Sequence, residues 1–106
     1  MKEFIQVATT TAQQAEARQI AAELVERRLA ACVQIQGPIR SVYRWQGNVE
    51  QAEEWLCTAK TERRLFQAVA AAIGKLHSYE CPEVIATPIV AGSAGYLAWL
   101  QEQLAP

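Results

Sequence analysis

The 106-residue sequence is poor in the residues that most often carry chemistry: one histidine, three cysteines and one methionine. It also lacks an excess of charge of either sign, with ten Lys and Arg against eleven acidic residues and a net charge of −1. Phosphate-backbone binding draws on a basic stripe or a clearly basic domain, so no nucleic-acid partner is expected. The cysteines stand at 32, 57 and 81, odd in number and without a C-x-x-C, which excludes a disulfide framework and a zinc-knuckle pattern. No apolar run approaches the roughly 20 residues that span a bilayer. Met1-Lys2-Glu3 leads straight into Phe4-Ile5-Gln6-Val7, with no basic n-region and no cleavage-like site. No membrane attachment is expected, and the reading is a soluble, reduced, cytoplasmic protein. A glycine-rich phosphate loop and a G-x-S-x-G elbow are absent too, and a single histidine leaves little for general-base work, so no enzyme is expected.

What is present is apolar: 51% of the residues, in a chain sized for one domain over 1–106. A core this small has limited room, which points some of that apolar surface towards an interface between subunits.

The order of elements follows from periodicity and turn chemistry. Residues 3–9 form a short β-branched and aromatic run that fits a strand. Thr10 or Thr11, each with a glutamine three residues on, carries a capping-box signature for a first helix, whose stripe is Ala17, Ile20/Ala21, Leu24/Val25 and Leu29. Ala31 to Ile35 reads as a strand, Gly37-Pro38 bends it, and residues 39–45 continue extended. Gln46-Gly47-Asn48 turns the chain back through residues 53–60, making a long hairpin. Thr61 is the expected N-cap of a second helix with Leu65, Val69, Ala72/Ile73 and Leu76 inward, ended by Pro82. Val84 to Val90 supplies a fourth strand, placed at an edge by Pro88, and Tyr96, Leu97, Leu100 and Leu104 mark a terminal helix.

The order β-α-β-β-α-β plus a helix predicts an α+β, ferredoxin-like βαββαβ sandwich with an extended β-hairpin and a C-terminal helix. The strand pattern places apolar residues on both faces of the sheet, and the hairpin carries Tyr43, Trp45 and Trp55. A long apolar edge aggregates unless it is covered, so a closed homo-oligomer is expected.

Several separated motifs carry a resemblance. Leu29-Ala30-Ala31-Cys32-Val33, Ile39-x-Ser41-x-Tyr43-x-Trp45-x-Gly47, Lys60-Thr61, His77-x-Tyr79-Glu80-x-Pro82-Glu83, Pro88-Ile89-Val90-Ala91-Gly92 and Tyr96-Leu97-x-Trp99 follow one another along nearly the whole chain. In order and spacing they resemble the CutA family of divalent-cation-tolerance proteins. That resemblance implies a ferredoxin-like subunit in a tight homotrimer, similar in build to PII-type signalling proteins, and a role in tolerance of divalent metal ions, copper above all. The sequence departs from the pattern at Ser78, where proline is expected, and Cys81 adds a thiol beside the motif.

The candidate metal ligands are His77, Glu80 and Cys81, with Cys32 as a metal-reactive thiol implied by the resemblance; imidazole and thiolate suit copper, with carboxylate as a harder supplement. Against this, His77 also fits a helix C-cap and Cys32 a buried small hydrophobe. One imidazole and scattered thiols are too few for a closed site in one subunit, so the site is expected in a cleft between subunits, holding Cu²⁺ or another divalent ion, with no obligatory cofactor. Lys60, at the expected start of the second helix, together with Thr9, suits a small anion there, with Tyr79 and Glu83 in the same cleft. Tyr43, Trp45, Trp55, Tyr96 and Trp99 are expected at subunit interfaces. A PII-like anion sensor and a trimeric scaffold for another protein are the alternatives.

Overall fold

A computed structural model describes residues 2–106. Four strands, β1 (Phe4–Thr11), β2 (Cys32–Trp45), β3 (Asn48–Glu62) and β4 (Ile85–Pro88), form one antiparallel sheet in the order β2-β3-β1-β4. Helices α1 (Gln14–Glu26) and α2 (Phe66–Leu76) connect them, and α3 (Ala94–Gln103) closes the chain. This is the ferredoxin-like α+β arrangement that the element order predicts.

The core lies between the sheet and the first two helices. Ile5 and Val7 of β1 and Ala59 of β3 meet Ile20 and Leu24 of α1 and Val69, Ala72 and Ile73 of α2. A second, smaller cluster joins Leu100 and Leu104 to Ala31, with Phe4 and Leu65 against them.

The first helix begins later than its capping-box signature predicts. Thr10 and Thr11 stay in β1, paired with Leu56 and Trp55, and the Thr11 hydroxyl donates to the carbonyl of Gln13, which is the N-cap residue. It also ends sooner, at Glu26, in a Schellman motif: Arg28 N–H donates to Val25 O, and Leu29 N–H to Leu24 O over 2.9 Å. Arg28 takes the left-handed position usual for glycine, with φ 60°. Its side chain accounts for its presence, because Nε and Nη2 donate to the carbonyls of Gln103 and Glu102 over 2.8 and 2.7 Å. Arg28 thus stops one helix and holds the end of another.

Thr61 is likewise not a helix cap. It remains in β3, buried, and donates over 2.6 Å to Leu29 O. A 3₁₀ turn at Arg63–Leu65 then leads into α2 at Phe66. The fourth strand is shorter than the expected 84–90, with pairing confined to Ile85–Pro88, and it does lie at an edge.

The hairpin is the longest feature, with 14 residues in β2 and 15 in β3. Gln46 and Gly47, at φ 50° and 83°, form the two-residue turn whose hand matches strand twist. At Gly37-Pro38 the register shifts between Gln36 and Ile39. Glycine is required there, because a Cβ would lie 2.5 Å from Cε3 of Trp55.

One face of the sheet buries Ile5, Val7, Cys57 and Ala59; on the other, Phe4, Ala8, Leu56 and Ile85 are interspersed with the polar Gln6, Thr58, Lys60 and Gln34, so both faces carry apolar residues, as expected. Further apolar surface lies along the outer hairpin, where Val42, Tyr43, Trp45 and Val49 are exposed.

Candidate functional site

The turn after α2 is built around His77. Its backbone closes the helix, N–H to Ile73 O, and its ring is wholly enclosed. Nε2 lies 2.7 Å from Thr10 O, and the amide of Tyr79 donates to Nδ1 over 3.1 Å. A carbonyl accepts only and an amide donates only, so the proton of the neutral ring sits on Nε2 and the lone pair of Nδ1 is already used. The imidazole therefore joins β1 to the turn, and in this arrangement it offers no nitrogen to a metal. In this structure the imidazole serves as a support of the turn.

Ser78, the departure from the family pattern, donates from Oγ to Glu16 Oε1 over 3.2 Å and ties the turn to α1. The constraint that a proline ring would give to the backbone is replaced by a side-chain bond.

Held in this way, the turn delivers Tyr79 to the hairpin. The rings of His77 and Tyr79 lie 4.8 Å apart, and Tyr79 Oη donates to Glu54 Oε2 over 2.7 Å. Glu54, on β3, is only 6% exposed. Burial, then the bond to the Glu54 carboxylate, pushes the Tyr79 hydroxyl well above its ordinary pKa, so it remains a donor.

Around this pair opens a cleft of about 610 Å³ between the hairpin and the turn. Ser41, Val42, Tyr43 and Trp45 form the hairpin wall, and Glu80, Cys81 and Glu83 come from the turn. Three of its lining residues are carboxylates and none is basic. Glu80, Cys81, Tyr79, Glu83, Tyr43 and Trp45 are thus brought together as candidate residues. Glu54 went unrecognised in the sequence, its one signal being an acidic pair, Glu53-Glu54, at the head of the apolar run Trp55-Leu56-Cys57.

Other candidates lie elsewhere. Cys32 and Lys60 pair across β2 and β3, level with Gln6, four residues along the sheet from Thr10, or about 13 Å at strand rise. Lys60 meets no helix N-terminus, since α2 starts six residues on; Nζ donates to Gln34 Oε1 over 2.7 Å and lies 5.9 Å from the Tyr96 ring centroid. Thr9 faces the core at 1% exposure, out of reach of an external anion. Its hydroxyl has no hydrogen-bond partner among the described residues. Tyr96 and Trp99 stack at 5.5 Å on α3, both exposed, while Trp55 is half-buried against Gly37. Cys57 is a core thiol, pushed up to about 11 by burial and then by Glu16.

Metal coordination by a single chain meets an obstacle: among the described residues, no three His, Cys, Asp or Glu side chains converge closely enough to hold an ion. The cleft offers carboxylate and thiol donors of the right kind, spread over its walls.

The sequence matches the model of the CutA1 divalent ion tolerance protein over residues 5–103. It is 46% identical over 86 residues to the divalent-cation tolerance protein CutA of Thermus thermophilus, which is 81% of this chain and 84% of that protein. Protein CutA of Homo sapiens is 41% identical over 86 residues, again 81% of this chain but 48% of the human protein, so the chain spans about half the length of that relative. The solved structure of the divalent cation tolerance protein from Thermus thermophilus superposes with a TM-score of 0.92 at 42% identity, covering 99% of this chain and 100% of that one. The chain belongs to the CutA1 family of divalent ion tolerance proteins.

Proposed function

We propose that the chain acts as a cytoplasmic, non-enzymatic homotrimer that takes divalent metal ions, copper among them, in clefts between subunits. The observation that carries this reading is the acidic cleft around Glu54, which has three carboxylates and one thiol among its lining residues and no basic residue. Oxygen donors and a thiol suit a divalent transition ion, and a neighbouring copy supplies the ligands that one subunit does not bring to a single point. Self-association is supported by the hairpin: Val42, Tyr43, Trp45 and Val49 are exposed on long strands that extend a molecule 44 Å in its greatest dimension. Such a surface is covered in stable proteins.

Sedimentation and Cu²⁺ titration of the metal-stripped protein test the two halves separately. A trimer at micromolar concentration is expected, and a stable monomer overturns the assembly. Cu²⁺ binding is expected to weaken in Glu80→Gln, Cys81→Ser and Glu83→Gln. Unchanged affinity and stoichiometry in all three overturns the site.

A further inference from the structure

The shape of the cleft does not match its charge if a bare metal ion is the only occupant. Carboxylates that serve one ion converge on a point, and those of Glu54, Glu80 and Glu83 share a cavity of about 610 Å³ without converging. That volume lies in the range of small-molecule pockets. Its walls carry the rings of Tyr43, Trp45 and Tyr79, which add nothing to coordination of a hard ion but attract an organic cation through their faces. Glu54 is buried beside them, and its one side-chain hydrogen bond, from the neutral Tyr79 hydroxyl, leaves the negative charge without a counter-ion among the described residues. A cation that reaches such a carboxylate supplies the counter-charge whose absence is costly for a buried ion.

We propose that this cleft receives an organic ammonium ion, and an oligoamine with two or more ammonium groups in preference to one with a single group. One ammonium meets Glu54 among the aromatic rings, and another meets Glu80 or Glu83 of the turn. Separated positive charges on a flexible methylene chain match separated carboxylates on an apolar wall, which a point charge does not. The inference rests on the cleft being a cation site, as proposed above, and names the class of cation.

The test is calorimetric titration of the native oligomer at about 0.15 M salt, where diffuse surface attraction is screened. Spermidine, putrescine and N-acetylputrescine serve as ligands of three, two and one positive charges, and Cu²⁺ is titrated in parallel. Binding is expected in the order spermidine, putrescine, N-acetylputrescine. Glu54→Gln, which keeps the acceptor for Tyr79, is expected to weaken spermidine by at least about tenfold, and the double variant Glu80→Gln/Glu83→Gln, which removes the charges for the second ammonium, by about threefold or more. Spermidine that fails to bind, or binds within twofold of the parent in both variants, overturns the inference, as does a basic side chain of a neighbouring copy seated on Glu54 in a crystal of the oligomer. Cu²⁺ binding without spermidine binding removes this inference alone. Spermidine binding without Cu²⁺ binding removes the metal reading and leaves the amine site standing.

Discussion

His77 spans the gap between Thr10 and Tyr79, its Nε2 2.7 Å from the carbonyl oxygen of the first and its Nδ1 3.1 Å from the amide nitrogen of the second. The lone histidine is thus a positioning residue, which places Tyr79 against Glu54 without facing the cleft itself.

Replacing it leaves a carbonyl and an amide without their partner. His77→Ala is expected to cost about 2–4 kcal/mol in urea unfolding, the range for stranding two buried backbone groups. His77→Gln, which both donates and accepts, is expected to recover part of that. Loss of Cu²⁺ stoichiometry in a variant as stable as the parent would instead make the imidazole a ligand.

The Tyr79–Glu54 bond is expected to show a coupling of about 1.5–3 kcal/mol in a double-mutant cycle of Tyr79→Phe and Glu54→Ala, each of which removes the bond, as for a hydrogen bond to a charged acceptor. A coupling near zero would mean that the pair contributes nothing to stability in solution.

Gly37→Ala drives a methyl group into the Trp55 ring and is expected to destabilise by about 1–3 kcal/mol. In a Trp55→Leu background the same change is expected to cost less. Equal costs in both backgrounds would place the strain in the backbone rather than in the ring contact.

Alkaline stability has a named contributor in Cys57. Its thiol rises from the usual value near 9 to about 11 on folding, so the unfolded chain releases this proton first. The stability it contributes is complete below about pH 9 and is lost as pH rises through about 11. Tyr79, whose hydroxyl is shifted upward from a higher starting value, adds to the loss at still higher pH. Cys57→Ala is expected to flatten the fall in melting temperature between pH 9 and 11; an unchanged slope would show that other groups control it.

Arg28 offers a comparison of two effects at one position. Arg28→Ala loses both bonds to the end of α3 and keeps the left-handed backbone, whereas Arg28→Gly loses the bonds and relieves the backbone by about 1 kcal/mol. The glycine variant is therefore expected to melt higher than the alanine variant, with hydrogen-exchange protection in residues 94–103 lowered in both. The reverse order would show that φ at 28 relaxes freely.

Much of the frame was legible because periodicity reports burial. The stripe at Ala17, Ile20 and Leu24 and that at Val69, Ala72 and Ile73 are the buried faces of α1 and α2, and Gln46-Gly47 is the hairpin turn. The misplacements fall on Thr10, Thr11 and Thr61, whose side chains serve equally as caps or as strand residues. Pairing with Leu56 and Trp55, and the bond from Thr61 to Leu29, decide the matter, and both are contacts between distant parts of the chain. Glu54 escaped for the same reason: its hydrogen-bond partner, Tyr79, is 25 residues away. The motif around His77 marked the right turn, but only the enclosed ring showed that its nitrogens were occupied.

The strand order also bears on how the chain behaves while it is being made. The hairpin pairs Trp45 with Asn48 and can close locally as soon as it is synthesised. β1, by contrast, waits for Thr61 on one side and Pro88 on the other. A nascent or prematurely ended chain that stops before Ile85 therefore carries Ile5 and Val7 on an open strand edge, ready to pair with another chain. The four residues of β4 close that edge, so the first strand stays open to aggregation until the chain has been made through Pro88.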